Sequence, residues 1–131
     1  MSASSALPRP DECLRIAVEA AGERKAVDLR VLDLRKVCDF TDYFLICSGT
    51  SSPQLQAMAQ AIEADLRAQD LRPLSVEGAR GGRWILMDFG DFLVHIFDQE
   101  RRDYYRLEDM WSDAADVTRG FVSLAESVVE S

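Results

Sequence analysis

Five consecutive apolar residues, Tyr43 to Cys47, run directly into Ser48-Gly49-Thr50-Ser51-Ser52-Pro53, and Leu55, Met58, Ala59, Ile62 and Leu66 then recur at helical spacing. Successive side chains of a strand point to opposite sides of its sheet, so a strand without polar alternation must be covered on both faces. It belongs in the middle of a sheet. Ser51 or Ser52 supplies an oxygen for the free amides of the following helix, and Pro53 suits its first turn. A helix that packs its apolar stripe back on the sheet returns the chain to a second strand, over 73–77. That strand is expected to run parallel to the first.

The remaining elements follow from the same reading. Pro10-Asp11-Glu12 opens a helix, with acids at the positive end of its dipole, and Leu14, Ala17, Val18 and Ala21 recur until Gly22. Residues 28–34 alternate as a strand, with Leu29 and Val31 on one side and Arg30, Leu32 and Leu34 on the other. Arg83 to Phe97 reads as strand, tight turn, strand. Phenylalanine disfavours positive φ, so Phe89-Gly90 is expected in a loop longer than two residues with Gly90 left-handed. Trp84, Leu86 and Asp88 then share one face, and Ile85 and Met87 the other. Beyond Asp98 a helix is expected with Tyr104, Leu107 and Trp111 on one side and charge pairs among Arg101, Arg102, Glu108 and Asp109. From Val117, the spacing of Phe121, Leu124 and Val128 permits a short further helix despite Gly120. The order is α/β, a mixed β-sheet flanked by helices.

At 131 residues and 47% apolar, the chain is one domain with enough core to fold alone. No apolar run approaches the roughly 20 residues needed to cross a bilayer, and residues 1–10 resemble neither a secretory signal nor an Arg-rich transit peptide. No membrane partner is expected. Cys13, Cys38 and Cys47 are odd in number and far apart, which suits packing roles in a cytoplasmic protein. A net charge of −8 opposes direct sequence-specific nucleic-acid binding, which calls for a basic stripe. It is compatible with a basic protein partner, and equally with a merely soluble surface.

Few residues could carry catalysis. Ser48 to Ser52 joins a buried strand to a helix, where amides and hydroxyls often cradle phosphates, yet neither Gly-Lys-Ser/Thr nor G-x-G-x-x-G accompanies it. A capped turn explains the same residues. Asp88-Phe89-Gly90 matches a kinase triplet by letters alone, since the chain lacks an H-R-D loop. Asp88 and Asp91 lie across a turn that could hold Mg²⁺, although such carboxylates are usually solvated. His95 is the only histidine, which excludes a His-rich metal site, and between Val94 and Ile96 it reads as a hydrogen-bonded sheet residue. Glu77 beside Gly78 is either a catalytic acid or an exposed loop-edge carboxylate. Trp84 stays open between a core residue and an aromatic anchor for a partner.

Taken together, Asp39-Phe40-Thr41-Asp42-Tyr43-Phe44, Ser48-Gly49-Thr50-Ser51, Val76-Glu77-Gly78, Arg83 to Asp91, Val94-His95 and Tyr105-x-Leu107-Glu108-x-x-Trp111 resemble the ribosomal silencing factor family, also called Iojap-like. The resemblance covers about residues 11–112 in family order and spacing. It divides the chain into a flexible N-terminus over 1–10, a silencing-factor-like α/β domain over 11–112, and a C-terminal extension over 113–131.

The resemblance implies a nucleotidyltransferase-like fold without the catalytic site, and a protein that is no enzyme and needs no cofactor or metal. It implies binding to the large ribosomal subunit through its protein fourteen, which sterically blocks joining of the small subunit and lowers translation when nutrients are short. By the same resemblance the partner-binding residues are Trp84, Ile85, Asp88 and Glu77. Alternation puts Trp84 and Ile85 on opposite faces, which a flat strand cannot present equally to one partner. A twisted strand, an edge strand or contact at the strand's end would reconcile them. Two other classes stay in view: a small nucleotide- or phosphate-binding protein using Ser48, Thr50, Asp88 and Asp91 with Mg²⁺, and a homodimer formed when the protein is free.

Overall fold

The all-apolar strand takes the central place its composition demands. In the computed structural model, which describes residues 10–78 and 82–122, β2 (Tyr43–Gly49) is buried at every position. It pairs antiparallel with β1 (Val27–Asp33) and parallel with β5 (Phe92–Asp98). The helix α2 (Ser52–Arg67) carries the chain from β2 to β3 (Ser75–Glu77), and β3 pairs with β4 (Trp84–Asp88), which pairs with β5. Both steps are antiparallel, so β3 runs in the direction of β2. The parallel relation expected from the crossover therefore holds, but the strand that directly neighbours β2 is β5. With β6 (Ala115–Asp116) beside β1, the sheet order is β3-β4-β5-β2-β1-β6.

One face of this sheet carries most of the core. α1 (Pro10–Glu23) and α2 lay Leu14, Ala17, Leu55, Met58, Ile62 and Leu66 over Leu45, Cys47, Ile85, Met87, Val94 and Ile96. Each fully buried aliphatic side chain of this kind contributes about 1.5–3 kcal/mol. Ser51 is the residue that caps α2, its side chain accepting from the Gln54 amide at 3.2 Å. Burial pushes the Cys47 thiol up to about 12, which leaves it an inert packing group.

The opposite face has a thinner cover, and here the expected single helix does not form. α3 (Gln99–Tyr105) stops where Arg106 adopts φ 50 and ψ 51, and α4 (Leu107–Met110) starts in a new direction. A left-handed residue without glycine costs on the order of 1 kcal/mol. The bend turns Leu107 and Trp111 onto Leu32, Leu34, Phe44 and Ile46 while Tyr104 is left exposed. Arg102 makes the expected charge pair with Glu108, but does so from a buried position. Its side chain is only 3% exposed and reaches Ser48 Oγ at 3.0 Å, Glu108 Oε2 at 2.6 Å and Asp28 Oδ2 at 3.6 Å.

Of the segment 113–131, residues 113–122 are described, and they belong to the domain. β6 extends the sheet, Thr118 Oγ1 accepts from the Val31 amide at 2.9 Å, and α5 (Thr118–Phe121) buries Phe121 edge-on to Tyr43. Packing thus runs past position 112. Leu124 and Val128 lie outside the described residues, as does the expected flexible N-terminus except for Pro10, which opens α1. The hairpin loop is as expected: residues 89–91 join β4 to β5, and Gly90 takes φ +87.

His95 lies on the thinly covered face yet is only 4% exposed, beside Phe44 at 4.6 Å between ring centroids. Removing the imidazole from water lowers its pKa from 6.5 to about 4. Between those values the unfolded chain binds the proton and the folded chain does not. The His95 contribution to stability is therefore complete above pH 6.5 and falls as pH drops toward 4. Urea titrations at pH 7 and pH 5 should show a larger loss of stability for the wild type than for His95→Gln, and equal losses would refute the assignment. Phe121→Ala should cost about 3 kcal/mol in the same assay at pH 7. A change within experimental error would mean that the domain ends before α5.

Candidate partner-docking face on the sheet

β4 positions the residues singled out from sequence. It is an interior strand, paired on both sides, so neither an edge nor a strand end reconciles Trp84 with Ile85. Ile85 and Met87 are fully buried under the helices, whereas Trp84, Leu86 and Asp88 are half-buried on the other face. Cross-strand partners share a face. Glu77 pairs with Leu86, which pairs with His95; Ser75 pairs with Asp88, which pairs with Leu93. Trp84, Asp88 and Glu77 therefore stand on one surface. Ile85, with no exposed area, supports that surface from beneath and offers a partner nothing directly.

Trp84 is held as part of an aromatic group. Its ring stacks on Phe97 at 4.9 Å and lies 4.8 Å from Tyr105, while its indole N–H donates to His95 Nδ1 at 3.3 Å. The alternatives of core residue and anchor are both partly realised: one side of the indole is packed and the rest is open. Leu86 and Leu93, also half-buried, continue the apolar surface across β4 and β5. Phe40, 63% exposed, extends an aromatic cluster with Phe44 and Trp111, at 6.4 and 6.1 Å, on the same side of the sheet.

The charges on this face are distributed unevenly. Glu77 is exposed on the edge strand and Asp88 closes the β4 end, where its Oδ1 accepts from the Gly90 amide at 2.8 Å. At the other end, Arg83 is engaged by Asp98 and Glu100, and with Arg101 it flanks Trp84 and Tyr105 in an open hollow. The acids thus lie beyond Leu86 from Trp84, and the arginines flank the tryptophan itself.

The phosphate-loop candidates Ser48, Thr50 and Ser51 are engaged by protein partners instead. Thr50 donates its amide and hydroxyl to Gln54 Oε1 at 2.6 and 2.9 Å, and Gln54 Nε2 donates to the carbonyls of Arg24 and Lys25. Ser48 Oγ accepts from Arg102 and Ser51 Oγ caps α2. A Cβ at Gly49 would lie 2.7 Å from Leu55 Cδ1 and from Met58 Cε, so the glycine serves helix packing. The loop's polar groups are used within the protein. Among the described residues, no group of three or more His, Cys, Asp or Glu side chains could hold a metal ion, and no helix is long and apolar enough to cross a membrane.

Sequence reasoning missed Phe40, Leu86, Leu93 and Trp111 as parts of this surface. The period-2 pattern already put Leu86 beside Trp84, and strand pairing would have added Leu93. Phe40 lies in an irregular segment with no periodicity to reveal its facing.

Comparison with known proteins agrees with this architecture. The sequence profile described as "Ribosomal silencing factor during starvation" matches residues 8–130. The ribosomal silencing factor of Bacillus subtilis strain 168 is 40% identical over 101 residues, covering 77% of this chain and 86% of that one. A mouse relative, named mitochondrial assembly of ribosomal large subunit protein 1, is 31% identical over 93 residues, covering 69% of this chain and 41% of its own length. A crystal structure of a Chromobacterium violaceum protein superposes with a TM-score of 0.78 at 30% identity, covering 80% of this chain and 88% of the other. The mixed sheet, the match along nearly the whole chain and these likenesses agree, and the chain belongs to the ribosomal silencing factor family.

Proposed function

We propose that this protein represses translation by docking the Trp84 face on the large ribosomal subunit at its protein fourteen, where its bulk blocks joining of the small subunit. The observation that carries this reading is the half-buried tryptophan on an open sheet face, with Glu77 and Asp88 on that same face. A rigid aromatic in an apolar patch is a typical source of interface affinity, and acids at the far end of that patch complement a basic ribosomal protein. Family membership supports the silencing role, and the name of the mouse relative supports a large-subunit partner. Trp84, Leu86 and Leu93 form the apolar contact, Asp88 and Glu77 the acidic border, and Ile85 acts only as the floor. The protein works by occupancy in the cytoplasm, without a catalytic step.

Trp84→Ala should remain folded, because the helix-covered core is untouched, yet lose at least about thirtyfold in affinity for purified large subunits. Co-sedimentation followed by a subunit-joining assay measures both binding and consequence. Undiminished binding would remove Trp84 from the interface. Glu77→Lys should weaken association and reduce its sensitivity to salt, read from binding rates at two ionic strengths. A salt dependence equal to that of the wild type would eliminate the electrostatic part of the proposal. Saturable binding of nucleoside triphosphates with Mg²⁺ in calorimetry, together with silence toward large subunits, would favour the phosphate-binding alternative.

A further inference from the structure

We propose that His95 is a positioning residue for docking: by accepting the indole N–H it fixes the Trp84 ring and leaves only hydrocarbon for a partner to meet. The contact is a cross-strand one, between β4 and β5, with Trp84 Nε1 3.3 Å from His95 Nδ1 and ring centroids 6.0 Å apart. Indole carries a single polar hydrogen. Once it is turned inward, no donor remains on Trp84, and a partner recognises it through an apolar slot with no buried acceptor awaiting a hydrogen bond. This deepens the docking reading above and rests on it.

The geometry also determines the state of the imidazole. A nitrogen that accepts cannot carry a proton, so a neutral His95 holds its hydrogen on Nε2. His95 is 4% exposed, and its Nε2 has no hydrogen-bond partner among the described residues. A buried donor without an acceptor costs about 1–3 kcal/mol, whereas an aliphatic side chain would fill the same space without that cost. Packing alone is thus a poor reason for histidine here. What histidine supplies and an aliphatic side chain does not is an acceptor at Nδ1 for the tryptophan, and burial that keeps the ring neutral preserves that acceptor. Phe97 stacks with both rings, at 4.9 Å from Trp84 and 6.1 Å from His95, so the orientation is set by packing and by one directional bond together.

The test compares the full-length wild type with His95→Phe, which keeps a flat ring but no acceptor, and His95→Gln, which retains one. Nitrogen-15 NMR of the free protein should find the Nε2–H tautomer and slow exchange of the Trp84 indole proton. His95→Phe should speed that exchange and weaken co-sedimentation with large subunits by about tenfold, with His95→Gln retaining most of both. The Nδ1–H tautomer, unchanged indole exchange in His95→Phe, or unchanged affinity with faster exchange would each overturn the proposal. If His95→Phe does not fold, the tautomer and exchange rate of the wild type decide whether the bond exists, and His95→Leu replaces it in the binding arm. Failure of the wild type to bind large subunits would reject the docking reading, while the NMR arm would still accept or reject the role of His95 in fixing Trp84.

Discussion

The parallel ladder between β2 and β5 is the constraint on which the other elements depend. It pairs seven positions, from Tyr43 with Phe92 to Gly49 with Asp98, and parallel neighbours cannot be joined by a tight turn. The chain must leave the sheet and come back. α2 makes that excursion and lands at the far edge, and β3 and β4 then return to the centre by two antiparallel steps. β4 is interior for this reason. Both ends of the ladder are tied down: Thr41 Oγ1 donates to the Gly90 carbonyl at 3.0 Å at one end, and Arg102 donates to Ser48 Oγ at 3.0 Å at the other. The guanidinium is buried, so its partners matter more than those of a surface pair. Removing Glu108 would leave the buried guanidinium with only the longer contact to Asp28 as an ionic partner.

Unequal cover of the two faces leaves one side of this sheet open for the proposed docking. α1 and α2 bury one face with long continuous stripes, which puts Ile85 and Met87 out of reach. The other face receives α3 and α4, short and broken at Arg106, and they shield β1 and β2 better than β4. A continuous helix in their place would have kept Tyr104, Leu107 and Trp111 on one side. The left-handed residue trades that regularity for a bend that buries Leu107 and leaves the Trp84 neighbourhood open. The strand on which sequence reading concentrated is thus exposed because of an element further along the chain.

Legibility followed periodicity. β2, α2 and the hairpin were readable because their side-chain patterns follow from strand and helix geometry, and Gly90 from the steric cost of positive φ beside a phenylalanine. Alternation alone also separated Trp84 from Ile85. What alternation could not supply was which face is the thinly covered one, since the helices there are cut short by the break at Arg106, an arginine in a conformation its sequence does not advertise. The charge pair of Arg102 with Glu108 is legible in the sequence, but nothing there records that Ser48 and Asp28 converge on the same guanidinium. β6 escaped notice because two residues are too few to show a period. The four candidate partner residues rest on family resemblance, and strand geometry divides them into three that share a surface and one beneath it.

That division has a kinetic consequence for the proposed docking. Glu77 is exposed and Asp88 half-buried, so the charge at Glu77 acts mainly through the long-range field that guides encounter, while the complex itself is little strengthened by a screened pair at the rim. Trp84 is already packed against Phe97 and Tyr105, so binding need not freeze a mobile side chain, and the entropy cost of about 0.5–1.5 kcal/mol for immobilising one is largely avoided. In the proposed complex the acids would therefore govern how fast the protein finds a ribosomal subunit, and the aromatic patch how long it stays. For a repressor that works by occupancy, the second quantity matters more. Under the proposed mechanism residence must outlast the attempts of the small subunit to join, and the preorganised tryptophan, held from within the sheet, would supply it.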